Sequence, residues 1–312
     1  PKALCLWPPL DCYEAFYVLD IKHEHLAAPG FLSPVVGKLK HLGHLKLRGE
    51  SISGLIPEEI GQCTALHDLV ISNTSLSGSL PVSMASLIKL SNLKISDNPL
   101  GGALDRSMFL KWTSISRIDL SGCQFDGVFP DLDFGMSPNL AEILVPRNNF
   151  IGLGLVNETG GQLVHAFGLA TLHLDFAENQ FTSLPGALRG LSRLSRLDLR
   201  RNKIESLPSW GVYSDDPMVD LYASKDNMEA GQGEVCWWEH FDLEDRAPPQ
   251  WTLLRSVDLS GNPLGTTLRH FLALFGNAPL LSDLACNGCQ LSGSFELVNE
   301  MSFRFVPLPV PL

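Results

Sequence analysis

Four groups of side chains in this sequence have the types and spacing to do chemistry. Cys286 and Cys289 form a C-x-x-C, the spacing of a zinc half-site or a redox dithiol. Asp175 and Asp198 are two carboxylates of the kind that cleave glycosidic bonds when held about 5 Å apart. His23, His25, His41 and His44 cluster in sequence and offer imidazoles to a metal. Cys5 and Cys12 bracket the segment CLWPPLDC, with Trp7 near the first. A zinc site normally wants a closer pair and a second pair elsewhere, and a catalytic cysteine wants no such neighbour.

Which of these groups can act depends on the elements that carry them. Sliding the chain against itself exposes a recurring L-x-L-x-x-N-x-L, with Ile, Val, Phe or Met replacing leucine. Copies begin at Leu19, Leu45, Leu69, Leu93, Ile118, Ile143, Leu174, Leu197, Leu221, Val257 and Leu284, mostly 23 to 27 residues apart. The alternation predicts a short strand with one face in the core. No single copy can bury that face, so copies stack into a solenoid with one parallel, concave sheet of about eleven rungs, roughly 50 Å long. The N of the motif is Asn98, Asn148, Asn179, Asn202 and Asn262, able to satisfy backbone groups as the chain leaves each strand. Elsewhere that ladder position holds Glu24, Glu50, Thr74, Cys123, Asp226 and Cys289.

The register then weighs the chemistry. Cys286 takes an inward leucine position and Cys289 a ladder position, where cysteine serves as a small hydrophobe, so both are expected as structural thiols without metal. Cys123 is likewise a ladder residue, and Cys63 lies on the returning side of its repeat. His23 and His44 sit at offsets that differ by five residues, roughly 16 Å along the strands, too far for shared coordination. Asp175 and Asp198 fall in one outward column, but Arg196, Arg200 and Arg201 crowd them and a solenoid sheet is an open surface rather than a pocket. The sequence has no G-x-S-x-G, phosphate loop or kinase signature. No catalytic residue, metal or cofactor is expected.

Composition narrows the rest. Hydrophobic residues make up 45%, enough for a core, while 34 acidic residues against 23 basic ones argue against nucleic acid as partner. No apolar run has the roughly 18 residues of a membrane span.

The repeats resemble the leucine-rich repeat family along almost the whole chain, so that the resemblance implies an α/β solenoid wound as a right-handed superhelix. Segments such as SGLIPEEIG, SGSLPVSMA and DGVFPDLDF are similar to the plant-type subclass with its x-G-x-I-P extension, which implies a second short strand. TSLPGAL and ESLPSWG are similar to the more general L-P type. The C-x-W-x4-C segment resembles the N-terminal cap of plant-type extracellular members, which implies a Cys5–Cys12 disulfide and a tryptophan lid over the first rung. It also implies a secreted, extracellular or outer-membrane-face location, with an organelle lumen as the alternative. On this reading residues 1–18 form the cap, 19–295 the solenoid and 296–312 an extended tail. The family's receptor ectodomains and polygalacturonase-inhibitor-like proteins imply non-enzymatic recognition of a protein or peptide.

The outward strand positions form the face where solenoids bind. They run from Lys22, Lys46 and Arg48 through Val70, Lys94, Asp119, Leu144 and Pro146. The later ones are His173, Asp175, Asp198, Arg200, Tyr222, Lys225 and Asp258, a mixed surface suited to protein rather than polyanion. Leu144, Asp198, Arg200 and Tyr222 are the expected contacts. Two long spacings place insertions near 153–169 and 229–250. The second concentrates Trp237, Trp238 and Phe241 among acidic residues, an aromatic anchor for a partner. Asn73 and Asn157 lie in N-x-S/T sequons and are candidate glycan sites. The insertions and the apolar tail suit a second reading, an accessory subunit packed in a large multi-protein assembly.

Overall fold

In the computed structural model the described residues are 18–22, 30–130, 139–154, 172–185, 188, 191–208, 251–276 and 278–293. Ten strands pair strictly in chain order into one parallel sheet. They are Val18–Lys22, His44–Arg48, Asp68–Ser72, Asn92–Ser96, Arg117–Asp119, Glu142–Leu144, Leu172–Asp175, Leu194–Asp198, Ser256–Asp258 and Asp283–Ala285, here rungs one to ten. The second residue of rungs two, three and four (Leu45, Leu69 and Leu93) stands in register and is 0% exposed, as the alternation requires.

The chain returns through short 3-10 helices at Pro34–Lys38, Glu58–Gln62 and Val82–Ser86, then through an α-helix at Arg106–Lys111. The flanking strands form two three-stranded parallel sheets, Gly30–Phe31 with Ile52–Leu55 and Ser75–Ser77, then Gly102–Ala103 with Phe125–Phe129 and Asn149–Leu153. These are the second short strands implied by the x-G-x-I-P segments. The core is one continuous column of apolar side chains between the faces. Phe129 meets Phe150 and Phe176 edge-on inside it, at centroid distances of 5.4 and 5.5 Å.

Two sequence expectations are corrected here. Rung eight pairs directly with rung nine, Leu197 opposite Val257, so the copy read from Leu221 supplies no rung between them. The ladder agrees: the amide of Ile204 donates to Asn262 Oδ1 at 3.1 Å, leaving no place for Asp226. The other correction concerns Cys286 and Cys289, which are not free thiols but a disulfide. The Asn287-Gly288 turn brings their Cα atoms to 5.5 Å, inside the range a disulfide bridges. Cys289 is buried as expected, whereas Cys286 is only partly so.

Candidate functional site: the concave face

Each rung's outward residues stack into columns. The central column reads Asp20, Lys46, Val70, Lys94, Asp119, Leu144, Asp175, Asp198, Asp258 and Ala285, every neighbour in register. Leu144 and Asp198 stand in this outward column, and the Arg200 side chain reaches Asp198 Oδ2 at 3.4 Å. Tyr222, Trp237, Trp238, Phe241, Asn157, Cys5 and Cys12 lie outside the described residues.

From the second to the sixth rung, acids and bases on neighbouring strands pair with each other. Lys46 Nζ and His44 Nδ1 each lie 3.5 Å from Asp68 Oδ2. Lys94 Nζ donates to Asp119 Oδ2 at 2.8 Å, Arg117 approaches the same oxygen at 3.7 Å, and Arg117 also pairs with Glu142. Asp119 is outward as predicted but only 3% exposed. Burial alone would push its carboxyl up; the hydrogen bonds from Lys94 and Ser121 outweigh that and hold it below the usual carboxylate range.

The next three rungs differ. Asp175, Asp198 and Asp258 stand side by side on consecutive strands. Each uses Oδ1 to accept the amide two residues on, from Ala177, Arg200 and Ser260 respectively. Among the described residues the ion pair in this trio is Arg200 Nε to Asp198 Oδ2, at 3.4 Å. Asp198 is accordingly pushed up to about 6, by burial first and by the carboxylates of Asp175 and Asp258, against the Arg200 amide and guanidinium. His173, half-buried, is lowered by burial despite Asp175 and Glu142 nearby. Arg196, beside the trio, is exposed.

The face is thus an open, charged trough whose carboxylates are unevenly neutralised. No group of three or more His, Cys, Asp or Glu among the described residues is arranged to hold a metal ion. His44 Nδ1 faces Asp68 Oδ2 at 3.5 Å, and His41 is exposed.

Two features of the rim escape a reading by motif. Among the described residues, the one before each ladder position takes a left-handed backbone, including Asn73, Asp97, Gly122, Arg147, Glu178 and Arg201. Arg147 reaches across Gly122 to Asp97 Oδ1 at 2.8 Å, two rungs away, because a Cβ at Gly122 would sit 2.8 Å from that same oxygen. The signal was a glycine between an aspartate and an arginine in one column. Asn73 is exposed at this rim while Thr74 beside it is buried, so the Asn73 sequon presents its asparagine to solvent.

No family model and no curated protein matches this chain. Solved structures do. A plant peptide hormone receptor, RGFR1 in complex with RGF2, is 22% identical with a TM-score of 0.52, over 86% of this chain and 39% of that one. The PEPR1–AtPEP1 structure is 19% identical with a TM-score of 0.57, over 88% of this chain and 32% of that one. The APL1 leucine-rich repeat domain is 18% identical with a TM-score of 0.52, over 81% of this chain and 52% of that one. The chain spans less than half the length of the RGFR1 and PEPR1 chains it matches. At these identities the likeness is one of fold, a leucine-rich repeat solenoid. No helix among the described residues is long and apolar enough to cross a membrane.

Proposed function

We propose that this leucine-rich repeat solenoid is a non-enzymatic recognition domain that holds a protein or peptide in its concave trough. The observation that carries this reading is the contrast along the sheet: Asp68, Asp119 and Glu142 each pair with a cation on the preceding rung, whereas among the described residues the ion pair within the trio of Asp175, Asp198 and Asp258 is that of Arg200 with Asp198. Three stacked carboxylates repel one another and gain when a cation arrives, so the partner presents lysine or arginine there. Leu144, next in the column, gives that partner an apolar step. Trp237, Trp238 and Phe241 act as a second, aromatic contact from the insertion at 229–250. The RGFR1 structure contains RGF2, which supports peptide recognition as the use of this fold. A location outside the cell is supported by the Cys286–Cys289 disulfide and the exposed Asn73 sequon, with a glycan on Asn73 and Asn157 and a capping bond between Cys5 and Cys12.

Selection from a random displayed-peptide library tests the reading. Selected peptides should be enriched in lysine and arginine, and their affinity should fall at least about tenfold when Asp175, Asp198 and Asp258 all become asparagine. Selected peptides without basic enrichment, or unchanged affinity in the triple variant, would overturn it. Trp237→Ala with Trp238→Ala should weaken binding with little change in stability; a loss of about 3–5 kcal/mol of stability per tryptophan would make the aromatics core instead.

A further inference from the structure

The tenth rung holds a second chemistry, and the fifth rung of the same molecule shows how it works. Both turn on the tripeptide Gly-Cys-Gln, at 122–124 and at 288–290. Their backbones match: φ is 63° at Gly122 and 61° at Gln124, 72° at Gly288 and 56° at Gln290. In the fifth rung Cys123 is a free, buried thiol whose Sγ–H donates to the carbonyl of Ile95 on the preceding rung, at 3.1 Å. In the tenth rung Cys289 Sγ stands against the equivalent carbonyl, that of Leu259, at 3.3 Å, but is bonded to Cys286. The position three residues before the ladder is Leu120 in the fifth rung, fully buried, and Cys286 in the tenth, partly open. The two residues between the cysteines, Asn287 and Gly288, are exposed, and a Cβ at Gly288 would meet nothing within 4 Å. The disulfide is therefore approachable from the Cys286 side and sealed on the Cys289 side.

We infer that Cys286–Cys289 is a reversible thiol–disulfide exchange site, and that its reduced form keeps the rung folded because Cys289 then makes the hydrogen bond already made by Cys123. The co-reactant is a dithiol. One of its thiolates attacks Cys286 Sγ, the Cys286–Cys289 bond breaks, and Cys289 leaves as a thiolate, takes up a proton and donates it toward the Leu259 carbonyl. The second thiol of the reductant, as thiolate, then attacks its own sulfur in the mixed disulfide. Cys286 leaves as the second thiol and the reductant departs as a disulfide, two electrons and two protons having passed to the protein. Cys63 and Cys123 take no part: burial pushes their thiols up to about 11 and about 12, so neither offers a thiolate near neutral pH. This site is independent of the concave trough and stands or falls without it.

The test uses the whole native protein equilibrated in buffers of reduced and oxidised dithiothreitol, followed by alkylation and peptide mapping of each cysteine. The pair should open and close reversibly with the far-ultraviolet circular dichroism unchanged. After reduction Cys286, partly open, should alkylate at least about a hundredfold faster than Cys123, whose thiol is buried and pushed up to about 12. Cys289 should join only once the protein is unfolded. A pair that opens only in denaturant, or whose opening abolishes the native signal, overturns the inference. Cys289→Asn provides a second arm, because Asn262 fills the same position one rung earlier. The variant should fold, and its Cys286 should form a one-to-one mixed disulfide with oxidised glutathione. A folded variant that forms none refutes the accessibility of Cys286, and should the variant not fold, the wild-type titration decides.

Discussion

Replacing Asp198 with asparagine should change how stability depends on pH, and the direction follows from its neighbours. In the folded chain its carboxyl is pushed up to about 6 from an ordinary value of 3.8. The folded state therefore holds the proton more tightly than the unfolded one. Well below pH 3.8 both states are protonated and nothing is lost; as pH rises through 3.8 the unfolded carboxyl ionises first while the folded one, between Asp175 and Asp258, keeps its proton until about 6, and stability falls across that window. At 1.36 kcal/mol per pH unit the full gap would be worth about 3 kcal/mol. The side chain is 21% exposed, so screening by water lowers this to roughly 1–2 kcal/mol. An asparagine side chain in place of Asp198 would keep the Oδ1 that accepts the Arg200 amide at 3.1 Å, so the turn survives. The assay is urea unfolding of both proteins from pH 4 to 7.5. The variant should match wild type near pH 4 and exceed it by roughly 1–2 kcal/mol above pH 7. His173 works in the opposite sense, since its folded value is lowered and stability is lost as pH falls through the ordinary histidine range. Its neighbours are Asp175, Glu142, Arg196 and Arg117, so it contributes to both proteins alike and drops out of the difference. A difference that stays flat across the range, or favours wild type at high pH, would refute the acidic trio as a repulsive cluster.

Two further perturbations probe the frame that carries the trough. Asn148→Ala removes an acceptor for the amides of Cys123 and Phe125, at 3.2 and 2.9 Å, and a donor to the carbonyls of Leu120 and Val145, at 2.9 and 3.0 Å. Left buried without partners, these groups should lower unfolding free energy by about 3–5 kcal/mol in chemical denaturation, with faster hydrogen exchange at the Cys123 and Phe125 amides; a loss under about 1 kcal/mol would show that the ladder is dispensable. Gly122→Ala forces a side chain onto a φ of 63° and a methyl onto Asp97 Oδ1, so thermal unfolding should show a loss of about 1–2 kcal/mol, nearly all of it backbone strain because the Arg147–Asp97 pair is exposed.

The repeat frame was legible because each rung states its alternation separately, and many weak statements agree. What was misread failed at single positions, and the ladder shows why. A ladder side chain must do two things at once. It accepts an amide from the preceding rung, as Asn179 Oδ1 does from Phe150 and Asn202 Oδ1 from Phe181, and it donates to a carbonyl of that rung, as Asn202 Nδ2 does to Phe176. Asparagine carries both functions; a cysteine thiol still donates, as Cys123 does to Ile95. The segment LYASKDNM matches the repeat by letter, but the ladder position next to Asn202 is Asn262, which accepts the Ile204 amide and donates to the Leu199 carbonyl. Conversely, reading Cys289 as one more ladder thiol was right about its place and blind to its partner. The register of an inward position describes a rung covered on both sides, and in the tenth rung Cys286 is left partly open. The central column was legible as a series of outward residues, but its electrostatics were not, because whether a carboxylate is neutralised depends on strands some 25 residues away, as for Lys94 and Asp119. Function in such a fold is written across rungs, at right angles to the chain, and it becomes visible only when the register between rungs is known.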